Sequence, residues 1–302
     1  MGTRLLLDTK QLETILLEKI KHIKMKKTIL LALAIATTAY TSAQTPTTDP
    51  AKSVNEVVTA DNVEWGWLNP LRGDKSPAAG KLWGDRTKNE PAGFLVKFKK
   101  GFSSPPHIHN ITYRGVVIQG LLHNDDEKAE KQWLPAGSYW QQPAGEAHIT
   151  AADDNENMAF LDIQEGPYLV QPTSEAFDNG ERPLNVDKTN IVWLNANDIE
   201  WVSAKSNIET AFLWGSHEEN QLRATLLRLP AGFSGSIKNL SPNFRAVVIS
   251  GGITHQFSKT GTKNQLDAPS YFGAEENATS IISTAKETVI YIRSNGDFEV
   301  TM

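Results

Sequence analysis

Cysteine is missing from all 302 residues of the chain. Its absence excludes disulfides, thiolate metal sites, a Cys nucleophile and a lipidated N-terminal Cys. An excess of basic residues is missing too. The formal net charge is −5, so the chain lacks the basic footprint of a nucleic-acid binder. No apolar run is long enough for a comfortable membrane span. There is no P-loop, no Rossmann glycine fingerprint after a strand, no Gly-x-Ser-x-Gly elbow and no His-Glu-x-x-His. Clear helical periodicity is largely missing after residue 50. What is present is a globular composition, 39% hydrophobic, with enough apolar surface for one or two cores.

The N-terminus reads as an export signal. Met25-Lys-Lys opens a basic region, Thr28 to Ala36 is a short apolar core, and small residues lead to Thr41-Ser-Ala43 before Gln44. This three-part pattern predicts a cleaved signal peptide over residues 25–43, no stable membrane span after cleavage, and a periplasmic or extracellular product. A Cys-free mature chain is compatible with an oxidising compartment. Residues 1–24 then form an upstream extension ahead of a second start at Met25. The alternative is an amphipathic helix from Leu5 to Ile23 with an uncleaved anchor. Residues 44–58, rich in Thr and Pro at first, are expected to be a flexible leader.

The rest of the chain repeats itself. Leu82-Trp83-Gly84 recurs as Leu213-Trp214-Gly215, Gly101-Phe-Ser103 as Gly232-Phe-Ser234, and Tyr113-Arg-Gly-Val-Val-Ile-Gln-Gly120 as Phe244-Arg-Ala-Val-Val-Ile-Ser-Gly251. All three recur at an offset of 131 residues. Looser matches pair Val63-Glu-Trp65 with Ile199-Glu-Trp201, Ser138-Tyr-Trp140 with Ser270-Tyr-Phe272, and Ala159–Ile163 with Val289–Arg293. Each copy has β patterning. Phe94, Val96 and Phe98 alternate with Leu95, Lys97 and Lys99; Leu227 and Leu229 flank Arg228. Short β-branched runs end in Gly-containing turns, which predicts an all-β sandwich or barrel. The loop-like stretch from Gln171 to Pro183 marks the boundary. Two domains are therefore expected, at residues 59–175 and 176–302.

The first copy carries a candidate metal site. His107 and His109 are two apart in an extended segment, so both imidazoles point to one face. A third imidazole, His148, follows the turn at Pro143-Ala-Gly145. The frame runs Gly101, five residues, His107, one, His109, three, Tyr113, six, Gly120, then sixteen to Gly137, five, Pro143, one, Gly145, two, His148. Three neutral imidazoles suit one divalent ion of Fe, Zn, Mn, Ni or Cu, with positions left open for water or ligand.

These spacings resemble the two signature motifs of the cupin superfamily, from about residue 60 to the C-terminus. The repeat makes the chain resemble a bicupin, and in particular a group of bacterial bicupins of unassigned function. The resemblance implies two tandem jelly-roll β-barrels, with His107, His109 and His148 holding a divalent metal in the mouth of the first. The pattern breaks at the position of the usual cupin Glu, which is Tyr113 here, and at the Asn that often closes the second motif, which is Ala152. Asp162 or another distant carboxylate stays open as a fourth ligand. In the second copy Lys238, Leu240 and Ser280 or a neighbour replace the histidines, so that barrel is expected to be structural; a metal-free ligand pocket there is the alternative. His123 and His255 follow the repeated Gly and read as scaffold. Trp83 and Trp214 read as core.

Three-histidine, carboxylate-free cupins resemble thiol and β-diketone dioxygenases. The resemblance thus implies a metal-dependent dioxygenase acting on a small anionic or carbonyl compound, with no residue assigned as catalytic. Tyr113, Arg114 and Gln119 are candidates to surround the site; packing is the favoured reading of Tyr113, and a shared structural role the plain reading of Arg114. A non-catalytic binding or sensing cupin, or a Zn/Mn isomerase or hydrolase, remains the alternative. The expected partner is a small molecule. A homodimer through sheet edges is a further expectation, unless the two barrels meet that need within one chain.

Overall fold

The computed structural model describes residues 52–302, apart from 205, 217, 219 and 260. The signal-peptide reading and the upstream extension lie outside these residues. No helix among the described residues is long and apolar enough to cross a membrane. The only helical elements among them are 3-10 turns; the rest of the regular structure is β.

Two barrels follow each other along the chain. In the first, one large sheet has the order Leu184–Val186, Tyr139–Gln142, Tyr113–Gln119, Glu156–Ile163, Ala92–Lys99, Ala78–Trp83, Glu64–Trp67. Smaller sheets close it, formed by Ile149–Ala152, Leu121–Asp125 and Leu134–Pro135, and by Val170–Gln171 against Ile108–His109. The second barrel repeats the seven-stranded sheet and faces it with a five-stranded one. This is the all-β, tandem jelly-roll architecture that the repeat and its motifs predict.

Period-2 alternation explains why both faces of each large sheet are apolar. Phe94 and Val96 fill the first barrel, while Leu95 between them points out. Leu227 and Leu229 fill the second, while Leu226 points out. The outward residues of the two sheets pack on each other, joining Leu95, Val116 and Phe160 to Leu226, Val247 and Tyr291 in a third core. Trp83 belongs to this layer and Trp214 packs against it, as expected of core tryptophans.

The arms between barrels are exchanged. Glu56–Val58 precedes the first barrel but pairs with Tyr271–Gly273 of the second. Leu184–Val186 precedes the second but pairs with Tyr139–Gln142 of the first. A repeat-related serine caps each arm: Ser270 Oγ accepts from Ala60 N and Ser138 Oγ from Lys188 N, both at 3.0 Å. The expected flexible leader therefore stops short of residue 58. Glu56-Val-Val carries two β-branched valines, and an open sheet edge in the other barrel satisfies its backbone. Likewise, a boundary at 175/176 does not separate the hydrogen-bonded sheets.

Two looser repeat matches shift. After each arm comes one 3-10 turn, Ala60–Asn62 or Lys188–Asn190. Val63-Glu-Trp65 therefore corresponds to Ile191-Val-Trp193, not to Ile199-Glu-Trp201. Phe160 pairs with Val116 and Tyr291 with Val247, so Asp162 corresponds to Arg293 at the offset of 131 found elsewhere. These two equivalent side chains meet between the barrels, each 1% exposed, with Arg293 Nε 3.2 Å from Asp162 Oδ1.

Candidate metal centre

The three predicted histidines converge because of a bulge. Ser103 bridges Ala151, and His107 bridges His148. Four steps on one strand oppose three on the other, and Pro105-Pro106 lies in the longer side. Proline has no N–H to give a ladder and is at home in such a bulge. The extra residue reverses the alternation that starts at Phe102 and turns His107 and His109 inward. The second copy shows the unbulged case: Ser234 to Lys238 pairs regularly with Ser283 to Thr279, Ile237 faces the core and Lys238 faces solvent. Thr279 thus stands in the place of His148. Gly145 completes the turn that returns His148. It has φ +78°, and a Cβ there would fall 2.3 Å from the Phe177 carbonyl oxygen.

Each imidazole is held by its Nδ1 side. Nδ1–H of His107 donates to Pro105 O at 2.9 Å, that of His109 to Leu169 O at 2.8 Å, and that of His148 to Glu146 O at 3.0 Å. These bonds fix the tautomer and leave Nε2 as the free lone pair. The ligand atoms of the three all lie within 4.8 Å of one another. Burial pushes all three imidazoles below the ordinary histidine value, His148 to about 3, with mutual repulsion adding to the effect at His109 and His148. The trio is therefore neutral near pH 7, the form that binds metal. The donor set fits a divalent ion: neutral nitrogen ligands, carbonyls behind them, and an open side facing a cavity.

Among the described residues, no carboxylate joins the cluster. Asp162 faces the other barrel, where it accepts from Tyr291 Oη at 2.7 Å. Tyr113, at the place of the missing Glu, both packs and reaches the site. Its ring is buried in the barrel core, and its hydroxyl donates to Asn124 Oδ1 at 2.9 Å and lies 3.2 Å from His148 Nε2. Tyr168, which no sequence argument singled out, places its hydroxyl 3.1 Å from His109 Nε2. Burial raises both phenols well above their ordinary value, so both stay protonated. No motif marks Tyr168; its signal is only its place just before the strand that pairs with Ile108–His109.

Arg114 and Gln119 do not reach the site. Arg114 points to the opposite face, where Nε donates to Gln141 Oε1 at 3.0 Å and the guanidinium lies 4.2 Å over the Trp214 ring. Arg245 lies over Trp83 in the reciprocal place, which is the shared structural role of the repeated arginine. Gln119 follows a bulge opposite Met158/Ala159 that breaks the alternation from Tyr113. It is exposed and bonds Glu156.

A cavity of about 380 Å³ is lined by His107 and His109 of the trio. Val96, Phe98, Phe102, Trp140 and Leu161 give it an apolar wall. Arg72 is the one Lys or Arg in its lining, and no Asp or Glu lines it. The interior of the second barrel is a packed core. Phe233, Phe244, Phe257, Phe272 and Phe298 fill it, and His255 is buried against Phe257 and Phe272 with Nε2 3.0 Å from Ser280 Oγ. His123 is likewise buried and outside the trio.

The profile of a domain of unknown function, DUF4437, matches residues 56–301. The chain belongs to the DUF4437 family. No curated protein matches this DUF4437 chain in sequence. Its fold is similar to that of solved structures at low identity. One is a Nostoc punctiforme protein provisionally called a dioxygenase, with TM-score 0.64, 14% identity, and 83% of this chain and 90% of that one covered. Another is the oxalate decarboxylase of Lactobacillus farciminis, solved as a formate complex (0.54, 11%, 85% and 90%). A third is the salicylate 1,2-dioxygenase of Pseudoaminobacter salicylatoxidans, solved with gentisate (0.51, 12%, 82% and 82%). The DUF4437 protein shares the cupin fold with them.

Proposed function

We propose that this DUF4437 protein is a three-histidine, metal-dependent dioxygenase acting on a small, largely apolar compound with an anionic or enolisable carbonyl group. One observation carries the reading: two of three clustered, tautomer-locked imidazoles, His107 and His109, line a largely apolar cavity that has one arginine and, among the described residues, no carboxylate. A divalent ion bound there supplies Lewis acidity and, if it is iron, O2 chemistry. The chain's own part is to hold the ion open on one side, exclude water with Phe98, Phe102 and Trp140, and attract negative charge. With neutral ligands and Arg72, nothing in the lining offsets positive charge, which favours an anion.

The missing carboxylate also separates the alternatives. A hydrolase or isomerase needs a group to move protons beside the metal, and the nearby candidates are protonated phenols. Dioxygen chemistry on a ligand that arrives already anionic, or that gives up its enol proton to solvent on binding, needs no such base. A non-catalytic binding cupin needs none either and is the second reading.

Metal analysis followed by oxygen uptake decides. The expected result is about one Fe(II) per chain and oxygen consumption with β-diketones or thiol carboxylates. Iron-loaded protein that binds these compounds without consuming oxygen is a binding module. Metal content unchanged in the H107A/H109A/H148A variant overturns the site itself. That variant should stay folded, because apolar faces hold the barrel.

Export and pairing of two chains belong to the same reading. They predict a mature N-terminus at Gln44 and a mass by light scattering twice that of one chain.

A further inference from the structure

Tyr168 is tied to the site by the strand that follows it. Two residues on, Val170 pairs with His109, and the intervening Leu169 carbonyl holds His109 Nδ1. The Tyr168 ring stacks on the His109 ring, with centroids 4.2 Å apart and planes 24° apart, and meets Phe94 edge-on at 5.4 Å. Its backbone N–H donates to Arg86 O at 2.8 Å. The ring is thus fixed on several sides, and its hydroxyl is aimed at His109 Nε2, 3.1 Å away.

That nitrogen has one lone pair. A metal ion and a phenolic proton cannot both use it. With the ion in place, the Tyr168 hydroxyl needs another acceptor, since a buried donor left unpaired is costly. Tyr113 differs, because Asn124 Oδ1 already accepts its proton. Tyr168 also lines the cavity, so, besides the neighbouring Tyr113 hydroxyl oxygen, the acceptor within its reach is whatever occupies the open side of the site. An anionic oxygen is the strongest such acceptor.

We infer that Tyr168 is a specificity-determining donor, which selects an oxygen-anion ligand (a carboxylate or an enolate) at the three-histidine centre. The inference rests on the metal reading above, and the test separates the two. Cobalt(II) is loaded into the wild-type protein and the Tyr168→Phe variant, and its visible absorption is followed while acetate or imidazole is added. Acetate, once bound, keeps an oxygen lone pair for the phenol. The coordinating nitrogen of imidazole keeps none. The phenyl ring preserves the stacking, so the variant should hold cobalt in the same stoichiometry. It should bind acetate about ten-fold more weakly, the usual worth of a hydrogen bond to a charged group, with imidazole affinity changed by less than about two-fold. Unchanged acetate affinity, or equal weakening of acetate and imidazole, overturns the role of Tyr168 while leaving the metal site intact. Failure of the wild-type protein to take up cobalt overturns both.

Discussion

At the scale of single residues, burial decides what each histidine does. His255 has no exposed surface and lies between phenylalanine rings. Burial lowers its pKa from 6.5 to about 4. The folded state therefore binds this proton less readily than the unfolded chain. The stability that follows is fully present above pH 6.5 and is lost as pH falls toward 4. A shift of that size corresponds to about 3 kcal/mol. Urea titrations between pH 7 and 4 should show the decline, and His255→Gln should flatten it. An equally steep decline in the variant would move the effect elsewhere. The metal trio was legible in the sequence because His-x-His and the Pro-x-Gly turn are local patterns. Tyr168 was not, because it reaches His109 across the fold, and an isolated aromatic residue carries no spacing to read. Tyr113 was legible as a break in a pattern, but packing and site contact are not exclusive. One ring does both.

At the scale of elements, alternation is a good guide until a bulge interrupts it. The strands, their buried faces and the central Val-Val-Ile runs follow from period 2. The failure at Gln119 has the same cause as the success of the metal site: an inserted residue changes which side chains face in. Inserting one alanine between Ile149 and Thr150 tests this directly, because four steps then oppose four as in the second copy. The strand should then pair as Ser234–Asn239 does in the second copy, and the imidazole pair should lose its inward direction. Metal binding should be abolished, while the far-UV circular dichroism and the melting transition stay close to wild type. Retention of metal by the insertion variant would show that the bulge is not what aims the histidines. The second barrel needs no bulge, since its strand places Ile237 in a phenylalanine core. Comparing the copies by sequence located the lost ligands, but narrowed the third only to Ser280 or a neighbour, because the bulge in one copy offsets the register between them; the pairing makes it Thr279.

At the scale of the molecule, the repeat was legible but the exchange of arms was not. Glu56–Val58 has the same local pattern whichever barrel it joins, and only long-range pairing assigns it. Removing residues up to Val58 should therefore disturb the second barrel and spare the metal centre. The expected loss is about 2 kcal/mol, for two partly buried valines. Hydrogen exchange should rise at Tyr271–Gly273, with metal stoichiometry unchanged; faster exchange confined to the first barrel would contradict the pairing. The exchange has a consequence for synthesis. Ala60 and the serine that caps its arm are 210 residues apart in the chain. The first strand to be made is among the last to dock, since its partner is built only near the C-terminus. A stalled or clipped product keeps that strand loose and open to proteases, so each chain carries a check of its own completeness.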